Sequence, residues 1–222
     1  MGAYILNVLA LVAHGDDEVI GCGATLAKHV QQGDRVYLIV VADGVSSREK
    51  KDKTKRDQAL AESCDILGIH LLHQFDFKDN QLDQYPLLEL VKAVEQQTRK
   101  IPFDTVYTHS NKDLNIDHRV VHDIALTVFR PLPEEIVRKM YAFEIMSATH
   151  WYDPDAVFNP RRFVDVEKLW EKKMQALEAY AMELREFPHA RSKQALKALA
   201  QFRGCQAGME KAEAFEVLRI LE

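Results

Sequence analysis

Apolar runs alternate with amphipathic stretches along at least the first 130 residues, and this alternation restricts the fold more than any other feature of the chain. Residues 4–13 and 35–43 are apolar runs typical of strands buried on both faces. Residues 19–32 and 51–67 have the composition and spacing of helices. Strands that alternate with helices predict βαβ units around a parallel sheet, with helices on both of its faces.

The same alternation continues through the middle of the chain. Residues 71–75 are predicted to form a short strand, and residues 103–108 another. A helix that Pro86 opens is predicted to extend through residue 99, with apolar side chains along one stripe. A further helix is predicted over residues 117–129.

The last third of the chain has a different pattern. Residues 137–145 and 157–164 resemble strands with no helix between them, and we expect them to form an antiparallel edge or a hairpin over the sheet. Asp165 is predicted to cap a long helix that Pro188 ends. A last helix is predicted to start over residues 192–202.

Length and composition agree with one globular unit. At about 150 residues per domain, a chain of 222 residues with 47% apolar residues suits one domain over residues 1–222. The predicted fold class is α/β: a single Rossmann-like three-layer domain with a mostly parallel sheet, helices on both faces and an antiparallel C-terminal addition. A net charge of −5 argues against a nucleic-acid binder, which needs a basic face.

The chain shows no sign of membrane insertion or export. Its longest apolar stretch, residues 3–13, is too short for a bilayer, which takes about 20 residues, and it lacks the pattern of a signal peptide. The three cysteines are far apart and form no CxxC motif, so they indicate no disulfide framework. We expect a cytoplasmic protein without a membrane span, and a homo-oligomer is compatible with the sequence.

A cluster of histidine and acids follows the first predicted strand. His14, Asp16, Asp17 and Glu18 lie within five residues, and carboxylates packed so closely repel one another unless a cation relieves them. The loop after a strand's carboxyl end is where open α/β sheets bind ligands. His14 and Asp17 can turn toward one point as nitrogen and oxygen ligands, and Asp16 can stand beside the metal to take a proton from water. The alternative is a polar turn that caps the next helix.

Two rival interpretations cover the same region. Gly21 and Gly23 follow a strand and Asp43 lies about 20 residues on, as in a dinucleotide fingerprint, but Leu26 replaces the third glycine. The glycines more plausibly allow the first helix to pack closely on the sheet. A phosphoacceptor receiver module also has paired acids after its first strand, but it is about half as long.

A second polar loop, residues 108–118, follows the strand at 103–108. His118 and His122 are four residues apart on the next helix, and one histidine from here would complete a three-ligand set with His14 and Asp17. Three protein ligands and an open position are typical of catalytic zinc. Asp117 is placed to orient a ligand through a hydrogen bond.

These motifs resemble the LmbE-like (PIG-L) family of zinc-dependent de-N-acetylases. The family's AHPDDE motif appears as residues 13–18, its glycine-rich helix start as residues 20–26, and its His/Asn-x-Asp-His motif as residues 115–118. Further matches at Arg56, at residues 66–68 and near the C-terminus extend the resemblance over almost the whole chain.

The resemblance implies an activity and a set of site residues. It implies that a Zn²⁺ ion, or another divalent metal such as Fe²⁺, is held by the metal ligands His14, Asp17 and His118. It implies that Asp16 is the general base, and that Arg56 and Asp79 contact a small amino-sugar substrate. The reaction would be hydrolysis of an N-acetyl or other N-acyl group on a conjugate such as an N-acetylglucosamine derivative.

Two positions depart from the family pattern. Gly15 replaces a proline, and Asn115 stands where many members have a histidine. Asparagine can donate a hydrogen bond to an oxyanion but cannot supply a proton. We therefore expect Asn115 or His109 to stabilise the oxyanion and Asp16 to return the proton, with His109 or His122 as alternative acids. The competing functions are a dinucleotide-binding oxidoreductase and a catalytically idle metal-binding or sugar-binding relative.

Overall fold

Strands and helices alternate over the first part of the computed structural model, which describes residues 4–44, 51–133, 137–155 and 157–222. The strands are β1 (Asn7–Val12), β2 (Arg35–Ala42), β3 (His70–Phe77), β4 (Thr105–His109), β5 (Lys139–Phe143), β6 (Arg162–Asp165) and β7 (Ala212–Ile220). The helices are α1 (Asp17–Gln31), α2 (Lys51–Leu67), α3 (Leu87–Thr98), α4 (Ile116–Val128), α5 (Trp170–Ala179) and α6 (Lys193–Ala207).

The described strands form one mixed seven-stranded sheet in the order β3-β2-β1-β4-β5-β7-β6. The five strands β3, β2, β1, β4 and β5 pair in parallel with one another, and β7 is antiparallel to both β5 and β6. The chain builds outward from β1 in one direction through β2 and β3, then returns to place β4 on the other side of β1. Such a reversal of strand order creates a crevice at the carboxyl ends of β1 and β4, where ligands bind in this class of fold.

Helices cover both faces of the sheet and enclose two hydrophobic cores. One core contains residues of α1, α2, α5 and α6, such as Leu26, Leu60 and Leu177. The other contains residues of α3 and α4, such as Leu90 and Val121. The predicted three-layer α/β fold is therefore confirmed. In the part of the chain that the structure describes, no helix is long and apolar enough to cross a membrane.

Gly21 allows α1 to lie close to the sheet. A Cβ atom at this position would be 2.2 Å from Cδ2 of Phe143, a fully buried side chain on β5. The packing interpretation of this glycine is confirmed, and the close contact accounts for it without a dinucleotide.

Of the two arrangements expected for residues 137–145 and 157–164, the hairpin is wrong, whereas the antiparallel edge is confirmed for β6 only. β5 pairs in parallel with β4 and extends the parallel part of the sheet. β6 does not contact β5 in the sheet, because β7 lies between them and pairs with both. The antiparallel C-terminal addition therefore consists of β7 and β6.

The predicted long helix from Asp165 is also wrong in its bounds. Asp165 ends β6, and its Oδ1 accepts a hydrogen bond of 3.0 Å from the backbone N–H of Glu167, which opens a short 3-10 turn at Glu167–Leu169. α5 ends at Ala179, well before Pro188. The next residue, Tyr180, donates a 2.8 Å hydrogen bond from its hydroxyl to Oε1 of Glu18. The residues from 181 to 191 therefore form a connection that lies beside the loop after β1.

Candidate metal centre and active site

Two strand-end loops meet at the crevice between β1 and β4. The loop after β1 contains His14 and Asp16 and leads into Asp17 at the start of α1, and the loop after β4 leads into His118 on α4. Because β1 and β4 are adjacent and parallel, their carboxyl ends place both loops at the same edge. The ring centroids of His14 and His118 are 5.4 Å apart.

Three side chains form a compact donor set in this crevice. Nδ1 of His14 is 3.3 Å from Oδ2 of Asp17, and Nε2 of His118 is 3.4 Å from the same oxygen. One ligand atom from each residue lies within 4.8 Å of the other two, and all three residues are buried. Two imidazole nitrogens and one carboxylate oxygen suit zinc, which binds such atoms at about 2 Å.

The hydrogen bonding of this set fits a bound cation. Nε2 of His118 and Oδ1 of Asp17 are buried and make no hydrogen bond to the residues that the structure describes. Buried polar atoms almost always have a partner, and a bound cation would supply one for Nε2 of His118 and for Oδ1 of Asp17. The residues present therefore fit a divalent metal.

Each histidine of the set is supported by a carboxylate on its other nitrogen. Nε2 of His14 forms a 3.1 Å hydrogen bond with Oδ2 of Asp117, and Nδ1 of His118 lies 3.1 Å from Oδ2 of Asp113 as an ion-pair contact without hydrogen-bond geometry. Such contacts fix the tautomer and orientation of metal-binding histidines. The structure places Asp117 in the expected orienting position. Sequence reasoning missed Asp113, whose only signal is an acid in the polar loop before His118.

A second group, His14, Asp79 and Asp117, also has the spacing of a metal site. Oδ1 of Asp79 is 3.0 Å from Nε2 of His14. The two oxygens of Asp117, however, accept hydrogen bonds from the backbone N–H groups of Asn80, at 2.7 Å, and Leu82, at 3.0 Å. Because these oxygens are already satisfied, the group with His118 is the better candidate.

Asp16 stands beside the donor set with one oxygen unoccupied. Its Oδ2 accepts a 2.7 Å hydrogen bond from Arg191, and its buried Oδ1 has no partner among the described residues. It occupies the N-cap position of α1, but its side chain makes no capping hydrogen bond, so the polar-turn alternative is not supported for Asp16. Burial raises the pKa of Asp16, as does the charge of Asp17, against the lowering effect of Arg191.

The pKa shifts of the donor set follow from its charges. Burial acts to raise the pKa of Asp17, but His118 and His109 outweigh it and hold the pKa well below its usual range. Burial acts to lower the pKa of His118, but Asp17 and Asp113 raise it to about 9. The pKa of His14 is raised well above its usual value against the same effect of burial, by contacts with Asp117, Asp17 and Asp79.

The structure does not bring His109 to the cavity. Its ring is fully buried and stacks on His118 with ring centroids 4.0 Å apart, and its Nε2 accepts a 3.0 Å hydrogen bond from the backbone N–H of Ala13. The same nitrogen lies 3.4 Å from Oδ2 of Asp17, so His109 contacts the donor set, and its role as oxyanion donor or acid stays a prediction. His122 is also buried, and its Nδ1 donates a 2.8 Å hydrogen bond to the carbonyl of His109.

The crevice opens into a cavity of about 300 Å³. It is lined by the expected residues His14, Asp16, Arg56, Asp79 and Asn115 and by Gly44, Asn80, Glu183, Arg185, His189 and Arg191. Oδ1 of Asn115 accepts a 2.9 Å hydrogen bond from the N–H of Asp117 as the N-cap of α4, which leaves the amide NH₂ as its donor. The Arg56 guanidinium is engaged by Glu183 and by the carbonyl of Gly15. The four residues from 183 to 191 were not predicted.

Comparison with known proteins places these residues in a family context. The family model PIG-L, described as GlcNAc-PI de-N-acetylase, matches residues 9–129, more than half of the chain. The uncharacterised deacetylase YaiS of Escherichia coli is 30% identical over 133 residues, which are 58% of this chain and 70% of that protein. A 4-oxalmesaconate hydratase of Pseudomonas putida is 25% identical over 201 residues, 79% of this chain and 73% of that protein.

A solved structure has the same fold. The N,N'-diacetylchitobiose deacetylase of Pyrococcus horikoshii superposes with a TM-score of 0.79 at 22% identity, covering 96% of this chain and 83% of that one. The matched family segment includes both strand-end loops and all three residues of the donor set. This chain therefore belongs to the PIG-L family.

Proposed function

We propose that this chain is a zinc-dependent hydrolase that removes an N-acetyl or other N-acyl group from an amino-sugar conjugate, such as an N-acetylglucosamine derivative. The observation that carries the proposal is the donor set of His14, Asp17 and His118 together with the unpaired Oδ1 of Asp16, because His14 and Asp16 line an open cavity. The names of the deacetylases among its relatives support the same reaction. The proposal includes one domain over residues 1–222 and a cytoplasmic location.

The reaction needs an activated water molecule and a carrier for its proton. Zinc held by His14, Asp17 and His118 would lower the pKa of bound water toward about 7 and polarise the amide carbonyl. Asp16 takes a proton from the attacking water and gives it to the nitrogen of the leaving amine. We assign both steps to one residue because Asn115 cannot supply a proton, whereas Asp16 lines the cavity and His109 does not.

The remaining residues orient these groups or the substrate. Asp117 and Asp113 hold the two histidines with one nitrogen of each toward the site. The Asn115 amide donates to the developing oxyanion, an interaction worth about 3 kcal/mol in other enzymes. Asp79 lines the cavity and is the expected contact for sugar hydroxyls.

A hydratase is the second candidate, because one relative is named a 4-oxalmesaconate hydratase. Addition of water to a carbon–carbon double bond also needs an activated water molecule and a general base. The two reactions differ in product, since only deacetylation releases acetate.

Acetate release from a panel of N-acetylglucosamine conjugates tests the proposal, with an unsaturated tricarboxylic acid of the 4-oxalmesaconate type as the hydratase substrate. We expect acetate release that a chelator abolishes and added zinc restores. Asp16→Asn should lower turnover by about 10²- to 10⁴-fold, the usual contribution of a general base, while metal stays bound. The matched control is Asp123→Asn, which changes an exposed carboxylate on α4 and should leave turnover unchanged. Near-full activity of the Asp16→Asn protein would refute the assignment.

A further inference from the structure

A ring of charged contacts joins the connection between α5 and α6 to the loop that carries Asp16. Nη1 of Arg191 donates to Oδ2 of Asp16 at 2.7 Å and lies 3.5 Å from Oε2 of Glu183. Oε1 of Glu183 accepts a hydrogen bond from Nη1 of Arg56, whose Nη2 donates to the carbonyl of Gly15 at 3.3 Å. The ring starts at Asp16 and returns to its chain neighbour Gly15.

Both ends of the connection that supplies Arg191 and Glu183 are anchored. At the α5 end, the buried Tyr180 donates its hydroxyl hydrogen bond to Glu18. At the α6 end, Ser192 is buried and its Oγ accepts a 3.1 Å hydrogen bond from the N–H of Ala195 as the N-cap of α6. Arg191 is the residue before this cap, so its position is fixed by the start of a helix.

The backbone of Asp16 is held in a conformation that L-residues rarely adopt, with φ of 123°. Its N–H donates to Oε2 of Glu18 at 2.9 Å, and its carbonyl accepts the N–H groups of Val19 and Ile20. These contacts fix where the side chain begins but not how the carboxylate is turned. The contact that the structure shows for the carboxylate oxygens is the one between Oδ2 and Arg191.

We propose that Arg191 is a positioning residue for the hydrolysis: it holds Oδ2 of Asp16 so that Oδ1 is free for the reacting water, and Glu183 holds Arg191 in place. This inference rests on the proposed function, in which Asp16 carries the proton. Arg56 completes the ring from the other side, so its primary contact is with Glu183 and the loop rather than with the sugar. A carboxylate held by one oxygen keeps its other oxygen oriented toward the water proton that it accepts. Misplacement of such a group by about 1 Å can lower the rate by about 10²-fold.

The competing role for Arg191 is direct contact with the substrate, because it lines the cavity. Removing a side chain that binds the substrate equally in the ground state and the transition state raises KM with little change in kcat, whereas a misdirected base lowers kcat. A purely structural role would lower the folded fraction and the metal content together.

Steady-state kinetics and metal analysis of the zinc-loaded full chain separate these roles. We expect Arg191→Gln to lower kcat by about 100-fold with KM unchanged and one metal per chain retained. Arg191→Lys should recover part of the loss, and added guanidinium should raise kcat of Arg191→Ala by about tenfold. The control is Arg130→Gln, which removes an exposed arginine paired with Glu95 and should not change kcat.

A crystal structure of Arg191→Gln beside the unaltered protein gives a readout that does not depend on activity. We expect the Asp16 carboxylate to turn away from its original orientation while His14 and Asp17 keep theirs. An unmoved Asp16, a raised KM with full kcat, or loss of metal without recovery by lysine or guanidinium would each overturn the inference. Failure of the proposed function is distinct: the unaltered protein would then release no acetate, and the two crystal structures would still decide whether Arg191 positions Asp16.

Discussion

Asp113 should control metal affinity although it was not predicted to belong to the site. Its Oδ2 lies 3.1 Å from Nδ1 of His118, the nitrogen opposite the proposed ligand atom. Loss of a carboxylate in this position typically costs 10- to 100-fold in metal affinity, or about 1.4 to 2.7 kcal/mol. We expect Asp113→Asn, which keeps an acceptor oxygen, to lose about 10-fold, and Asp113→Ala to lose about 100-fold.

A competition titration against a chromophoric chelator measures this difference. Asp113 also accepts hydrogen bonds from Thr149 Oγ1, at 2.9 Å, and from the N–H of Asn115, at 2.9 Å, so its loss can loosen the loop. Thr149→Val removes a hydrogen bond to the same oxygen, Oδ2, but keeps the carboxylate beside His118, so it should weaken metal binding much less than Asp113→Ala does. If Asp113→Ala binds zinc as tightly as the unaltered protein, or if Thr149→Val weakens binding as much, the orienting role of Asp113 is wrong.

Two further outcomes follow from the pKa of His118 and from the packing of α1. The pKa of His118 without metal is about 9, so its ring is protonated below that pH and zinc must displace the proton to bind. We therefore expect the apparent zinc affinity to fall as the pH drops from about 8 to about 6, by about tenfold per pH unit for each proton released. Calorimetry in buffers of different ionisation enthalpy counts these protons, and zero release at pH 7 would contradict the assignment. Gly21→Ala should destabilise the fold by about 1 to 3 kcal/mol through its clash with Phe143. Gly23→Ala, whose Cβ would lie 3.4 Å from Val19, should be neutral or stabilise by up to about 1 kcal/mol; equal denaturation midpoints for the two variants would refute this packing argument.

The sequence predicted the crevice because its determinants are local. Alternating apolar runs indicate a parallel sheet, and polar loops that directly follow two of its strands indicate side chains at one edge. The structure brings His14, Asp17 and His118 together there because β1 and β4 are adjacent at the reversal of strand order. The prediction of this crevice therefore depends on only one contact between distant parts of the chain, the pairing of β1 with β4.

The connection that carries Glu183 and Arg191 could not be predicted in the same way. Apolar residues recur at helical spacing through Leu184, so the pattern favours a helix past its true end at Ala179. Directly after the helix, Tyr180 forms a hydrogen bond with Glu18, a residue 162 positions away in the chain. Nothing in the local sequence records that contact.

Strand β7 was missed because two of its buried side chains are acidic. Glu213 is buried and accepts hydrogen bonds from Lys173 Nζ, at 2.6 Å, and from the N–H of Thr25, at 2.7 Å. Glu216 is buried and accepts a 2.8 Å hydrogen bond from Ser110. In the sequence, buried acids that pair with distant residues cannot be told from exposed acids. The pattern of β7 alone therefore does not indicate a strand inside a sheet.

Anomalous diffraction from crystals of the zinc-loaded protein tests the central claim most directly. The account predicts one strong zinc peak per chain, about 2.0 to 2.2 Å from Nδ1 of His14, a carboxylate oxygen of Asp17 and Nε2 of His118. A peak bound instead by Asp79 and Asp117, or no peak in the crevice, would contradict it.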